Sequence, residues 1–327
     1  MANIQVFTVD THTGGEPTRI IISYLRVPGR TMAEKRDYFQ SRLDHLRRSL
    51  IFEPRGHRNM FCAVLLDPVN EEADLGVLFM HSGGYMNMCG HGSIGVVTAA
   101  LETRILEPKG EVVLDTSAGP VRALPEIKGD KVKKVTIRGV PSFLYKRTKA
   151  DIPGVGEPVI DIAYGGNFFV IVEAEELGLK VKLENLVALR EAGMKIRCHI
   201  NDAMKVRHPI HGFHQVDVVQ FSDVPENPVA HKRNVNIFGD GSVDRSPGGT
   251  GTSAKMAALY AAGHLKLGEK FIHESILGLV FEGKLVEKTK LGDLDAVIPE
   301  FTGCAYITGT HRFIIDDEDP FKFGFLL

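Results

Sequence analysis

Short apolar runs broken by Gly, Asn and Pro dominate the chain. Stretches rich in Val, Ile and Phe at Ile4–Val9, Arg19–Val27, Phe61–Asp67, Leu75–Met80, Glu111–Asp115, Lys134–Arg138, Phe168–Glu173, Gln215–Phe221 and Ala305–Thr308 predict strands short enough for antiparallel sheets. Helical spacing is rarer. Thr31–Leu46 and Leu183–Ala192 carry apolar residues at helical intervals among charges. Two more helices are predicted to open in glycine-rich turns, after Met88 and after Pro247. Pro141 and Pro153–Pro158 punctuate the middle of the chain and are the candidate crossing between domains.

Those two turns echo each other. MCGHGSIGVVTAAL begins at Met88 and PGGTGTSAKMAALY at Pro247. With Cys89 placed over Gly248, Gly90 meets Gly249, Gly92 meets Gly251, Ser93 meets Thr252 and Ala99 meets Ala258. The offset is close to half the chain, so two similar halves are expected, each with a helix that opens in a Gly-x-Gly turn.

Composition narrows the function classes. The 327 residues are 43% hydrophobic and 24% charged, enough apolar material for two compact domains and too much for a disordered chain. A net charge of −2 supplies no basic field for phosphate backbones, so no nucleic-acid partner is expected. The apolar runs are too short to span a bilayer, and the amino terminus carries no secretory pattern. Four Cys without a CxxC pair do not suggest a disulfide framework, so a cytoplasmic, reduced protein is expected. The 13 His are scattered and no HExxH motif occurs, so no metal site is expected.

The glycine turns carry the chemistry. A glycine-opened helix lets a ligand approach unpaired amides at the positive end of the helix dipole, which suits a carboxylate or phosphate. Neither copy has the phosphate-loop or dinucleotide spacing, so a nucleotide is a weak reading. Two such helix ends facing each other would hold one small carboxylate. Cys89 lies at the first helix start, where the dipole and any nearby cation favour its thiolate. Cys62 and Cys304 lie in apolar runs and Cys198 follows an amphipathic segment; all three are expected to be packing residues.

The sequence is identified as a member of the proline racemase family, which includes hydroxyproline 2-epimerases and trans-3-hydroxy-L-proline dehydratases. The resemblance rests on DTHTGGEPTR from Asp10, EPRGH from Glu53, GGYMNMCGHGSIG from Gly83, AYGGNFF from Ala163, DRSPGGTGTSAKMA from Asp244, ESILG from Glu274 and DPFKFGF from Asp319. It implies a mixed α/β fold of two pseudo-symmetric halves of the diaminopimelate-epimerase type, each a mostly antiparallel sheet around a central helix. The halves are expected at residues 1–135 with 312–327, and at 136–311, with the active site between them. The family uses no cofactor, and a homodimer is plausible by resemblance.

The resemblance also implies site roles. Cys89 matches the family's first catalytic cysteine. Amides of Gly90, His91, Gly249 and Thr250 match its carboxylate cradle, and Asp244 the residue that holds the substrate's ring amine. The His91 side chain could orient or acidify the thiol. His12, His57 and Asn59 could line the cleft, with a structural hydrogen bond as probable an explanation for each. The chain departs from the family at the second cysteine, where DRSPCGTG reads DRSPGGTG and Gly248 has no side chain.

That departure bears on the reaction. Racemisation needs an acid on the face opposite the base, a contribution of about 10²–10⁴-fold. β-Elimination needs one base and a leaving hydroxyl. The expectation is therefore dehydration of trans-3-hydroxy-L-proline to Δ1-pyrroline-2-carboxylate with Cys89 as base. A racemase or 4-hydroxyproline epimerase, with water serving at Gly248, is the alternative, and a non-catalytic imino-acid-binding homologue is a third reading. Gly248→Cys is expected to create or raise racemisation of proline.

Overall fold

The computed structural model describes residues 4–210, 212 and 215–327. The chain first forms β1 (Ile4–Thr13), β2 (Glu16–Ile21), α1 (Met32–Tyr38), α2 (Asp44–Ile51), β3 (Phe61–Leu66), β4 (Leu75–His81), β5 (Gly84–Met86), α3 (Gly90–Glu102), β6 (Val112–Thr116), β7 (Gly119–Lys128) and β8 (Lys131–Arg138). It continues through β9 (Phe143–Lys149), β10 (Val159–Tyr164), β11 (Phe168–Glu173), α4 (Leu186–Ala203), β12 (Val218–Asp223), β13 (Lys232–Phe238), β14 (Ser242–Asp244), α5 (Gly249–Ala261), β15 (Phe271–Ser275), β16 (Val280–Leu291) and β17 (Leu294–Gly303). It ends with β18 (Ala305–Ile315). Two compact units result, residues 1–136 with 304–327, and residues 137–303.

In the first unit, β18 pairs along its length with β1, antiparallel from Ile4↔Ile315 to Thr13↔Ala305. β2 runs antiparallel to β1 and parallel to β3, and β3 and β4 form an antiparallel pair. Strands wrap α3, whose residues from Gly90 to Leu101 are all buried. A helix buried all round needs small and apolar residues on every face, and GHGSIGVVTAAL supplies them. The helical run predicted from Thr31 starts where Thr31 Oγ1 accepts the Glu34 N–H at 3.1 Å, while Glu34 reaches back to the Arg30 N–H. It continues through a π-helical turn at Phe39–Leu43 and ends at Ile51, five residues beyond the expected limit. The strand expected over Arg19–Val27 stops at Ile21, where the Ile22 N–H closes on Phe7 O and the chain leaves the sheet toward Pro28.

The second unit repeats the plan. β9, β10 and β11 are antiparallel neighbours, β12 joins β11 in parallel, and β13 joins β12 antiparallel. Its central helix α5 is buried from Gly249 to Ala258. Helix α4 lies outside, burying Leu189, Gly193, Ile196 and Ile200 at helical spacing. Gly193 is required there, since a Cβ would fall 2.9 Å from Ile237 Cβ on β13. The helix predicted at Leu183–Ala192 thus opens as a 3₁₀ turn and runs on to Ala203. Pro141 and Pro153–Pro158 lie inside this unit, the latter group between β9 and β10, so neither marks a crossing.

Candidate active site

In the first unit, Cys89 is the N-cap of α3, with an extended backbone (φ −132°, ψ 116°) and 3% of its surface exposed. Its sulfur does the work a serine or aspartate does at other helix starts, accepting the Gly92 N–H at 3.3 Å. Nδ1 and Nε2 of His91 lie 3.4 and 3.5 Å from the same sulfur. The amide and the helix dipole favour negative charge on Sγ, and the imidazole is placed to exchange a proton with it. His91 is itself fixed: its carbonyl accepts Thr13 Oγ1–H at 3.0 Å and Phe61 packs edge-on against its ring, centroids 4.5 Å apart. Gly92 cannot be larger, because a Cβ would sit 2.9 Å from the Phe79 ring and 3.0 Å from Cys89 Sγ. The N–H groups of Gly90 and His91 come first in the helix, ahead of any intrahelical acceptor.

The equivalent turn in the second unit is built differently. Gly248 caps α5 with a left-handed backbone (φ +73°, ψ 108°) and no side chain. Its N–H donates to Ser246 Oγ at 3.1 Å, and the Ser246 hydroxyl and amide donate to Asp244 Oδ1 at 2.7 and 2.9 Å. Among the described residues Asp244 Oδ2 accepts only a long bond, from Asn236 Nδ2 at 3.4 Å, which leaves it capacity for a cation. A Cβ at position 248 would overlap Asn236 Nδ2 and approach Asp244 Oδ2 to 3.2 Å. The simple expectation for Gly248→Cys is therefore corrected: the backbone conformation and the Asn236 amide both oppose a side chain there. Gly249 and Thr250 open α5 as Gly90 and His91 open α3.

Other candidates separate cleanly. His12 Nδ1 accepts the Gly15 N–H at 3.3 Å and its ring stacks on Tyr306, which is turn-stabilising work. His57 Nδ1 accepts the Asn59 N–H at 3.2 Å. Cys62 is sealed in β3, and burial pushes its thiol up to about 12. Cys304 is half-buried, with its thiol raised by burial. Cys198 is exposed on α4 rather than packed, because it falls between the buried positions Ile196 and Ile200. Among the described residues no group of three or more His, Cys, Asp or Glu side chains could hold a metal ion, and no helix is long and apolar enough to cross a membrane.

Sequence reasoning missed Asn236 and Gln220. Gln220 Nε2 donates to Asn236 Oδ1 at 3.0 Å, and both are buried beneath the first turn of α5. Their signal was the polar alternation in RNVNIF and VVQFSD within otherwise apolar strands.

Residues 8–326 match the proline racemase family. The chain is 48% identical to a proline racemase of Acetoanaerobium sticklandii, covering 98% of both chains. It is 44% identical to a trans-3-hydroxy-L-proline dehydratase of Bacillus thuringiensis, covering 98% of this chain and 97% of that one. A crystal structure of a hydroxyproline epimerase from Agrobacterium vitis, with bound trans-4-hydroxy-L-proline, superposes with a TM-score of 0.93 at 34% identity over 99% of this chain and 96% of that one. The fold is the mixed α/β, diaminopimelate-epimerase-like fold of these enzymes. With a match that runs almost from end to end and relatives that are isomerases and dehydratases, the chain belongs to the proline racemase family.

Proposed function

We propose that the protein dehydrates trans-3-hydroxy-L-proline to Δ1-pyrroline-2-carboxylate, with Cys89 as the base. The observation that carries the reading is Gly248, a left-handed glycine whose side-chain volume is already taken by Asn236 and Asp244. Overall identity does not separate the candidates, since 48% to a racemase and 44% to a dehydratase are nearly equal.

The Cys89 thiolate removes the α-proton while the amides of Gly90, His91, Gly249 and Thr250 bind the carboxylate. Charge then develops on that carboxylate in the transition state, where helix amino termini stabilise it most. Asp244 pairs with the ring ammonium. The electrons of the broken C–H bond form the Cα–Cβ double bond as the C3 hydroxyl leaves with a proton as water. The enamine takes a proton on C3 and loses one from nitrogen, becoming the cyclic imine. A stereochemically opposite acid on Cα is never required.

Racemisation of proline is the second reading, favoured by the identity to the A. sticklandii enzyme. Proton NMR in D₂O with trans-3-hydroxy-L-proline and, separately, L-proline decides between them. Loss of the hydroxyproline resonances with growth of a pyrroline carboxylate is the expected result. D-Proline formation with deuterium at Cα would replace this reading by the second.

A further inference from the structure

The sheet faces beneath the two central helices have opposite character. In the first unit the antiparallel pair Ala63↔Phe79, its neighbour Val77, Leu114 on β6 and Val96 on α3 make an apolar floor. In the second unit the same register positions are Gln220↔Asn236, Asn234 paired with Ser222, and His273 on β15, with Lys255 on α5. These side chains share one sheet face, by the period of two along each strand and the register between strands. Gln220 and Asn236 touch the first turn of α5, where a Cβ on Gly251 would lie 2.5 Å from Gln220 Nε2. His273 Nδ1 lies 2.9 Å from Thr252 Oγ1, on the next residue of the helix. Lys255, one turn beyond Thr252, pairs with Glu173 at 2.7 Å.

Two observations give this stripe a direction. Four buried atoms along it, Gln220 Oε1, Ser222 Oγ, Asn234 Oδ1 and His273 Nε2, have no hydrogen-bond partner among the described residues. Buried polar atoms of that kind are ordinarily satisfied by ordered water. The far end of the stripe reaches a cavity of about 420 Å³ lined by Glu173, Lys232, Lys255, Asp161, Arg147 and His264 and open past the exposed Val159 and Glu176. The near end is Gly248 itself. Adjacent positions on a sheet face stand about 5–7 Å apart, the span that one bridging water closes.

We infer that a file of water molecules held by Gln220, Ser222, Asn234 and His273 connects this cavity to Gly248 and delivers the proton that the missing side chain cannot. His273 is buried beside Thr252 and can pass a proton between its two ring nitrogens, whereas the amides of Gln220, Asn234 and Asn236 only orient water. The balance closes without a co-reactant. One proton moves from Cα to Cys89 and returns to solvent. One moves from solvent through the file to the departing hydroxide, which leaves as water. The inference rests on reading Cys89 as the base.

The test has two arms. A crystal structure of the full-length protein at near-atomic resolution is expected to show water bonded to the four named atoms; a dry stripe with those atoms paired to one another overturns the inference whatever the activity. In the second arm, Ser222→Val closes the middle of the file and Ser222→Thr keeps its hydroxyl. Ser222→Val is expected to lower kcat for trans-3-hydroxy-L-proline about tenfold, with KM unchanged and a larger solvent isotope effect, and Ser222→Thr to restore both. A folded Ser222→Val enzyme with wild-type kcat and isotope effect overturns the inference. If the wild-type protein turns over neither substrate, the functional reading falls, and the first arm still decides whether the file exists.

Discussion

The two units share one plan and differ in what lies under the central helix. Beneath α3 the floor is the apolar set Ala63, Val77, Phe79 and Leu114, and the Gly92 amide and the His91 ring lie against the Cys89 sulfur. Beneath α5 the floor is Gln220, Asn234, Asn236 and His273, and the cap residue has no side chain. One half places a buried thiol at the start of its central helix. The other trades that group for a hydrogen-bonded layer. The same helix start therefore presents a thiol in one copy and a polar platform in the other, and fold repetition alone does not predict chemical repetition.

The sharpest break of this comparison is at the thiol. Cys89→Ala is expected to lower α-proton removal by about 10³-fold or more, with a small change in melting temperature, read by deuterium incorporation and thermal unfolding. Comparable turnover by that variant would remove Cys89 from its role.

Exchanging floors should cost stability. Phe79→Asn puts the second unit's side chain into the first unit's apolar floor, where it leaves a cavity and finds no layer of amides. The expected loss is about 3–5 kcal/mol by urea unfolding. Glu173→Gln removes the anion shared by Lys255 and Lys232, which hold it at 2.7 and 2.9 Å. Lys255 is buried, so the variant should lose about 3 kcal/mol.

Gly248→Cys should cost about 1–3 kcal/mol through its left-handed backbone and the overlap with Asn236, and should form no D-proline on chiral chromatography. Rapid racemisation by that variant would mean that the second unit differs from the first by one residue and not by its whole floor.

The smallest effect is on pH dependence. Burial, reinforced by Lys255 and Lys232, pulls the His273 imidazole down to about 3. Neutral His273 therefore stabilises the fold fully above the unfolded value near 6.5, and that contribution is lost as pH falls from there toward 3. Burial opposes ionisation of Glu173 too, but Lys255 and Lys232 outweigh it and hold the carboxyl at about 2, so its contribution fades only below about 4.5. His273→Leu, carrying the residue type of Leu114, should flatten the stability loss between pH 6.5 and 5 by about 1–2 kcal/mol. An unchanged slope would show that His273 takes up its proton at the same pH in the folded and unfolded protein.

Much of this was legible along the chain. The Gly-x-Gly echo located both central helices. Cys89 stood out by its place at a helix start, and Gly248 by the missing thiol in a familiar motif. The division into strands was less legible. β16 and β17 alternate charged and apolar residues with Gly and Pro inside, and β13 carries Lys, Arg and two Asn, so neither reads as a hydrophobic run. Such strands are fixed by pairing with distant partners rather than by local preference.

What the sequence determined by itself was the family, the repeated helix starts and the single thiol, because each depends on residue type and spacing along the chain. What tertiary structure decided was the meaning of Gly248 and of the polar floor. Whether a glycine merely lacks a side chain or cannot accept one depends on its backbone angle and on Asn236, twelve residues earlier and on another strand. Whether Gln220, Asn234 and His273 are surface residues or a buried layer depends on strand register, which brings together side chains that the sequence keeps far apart.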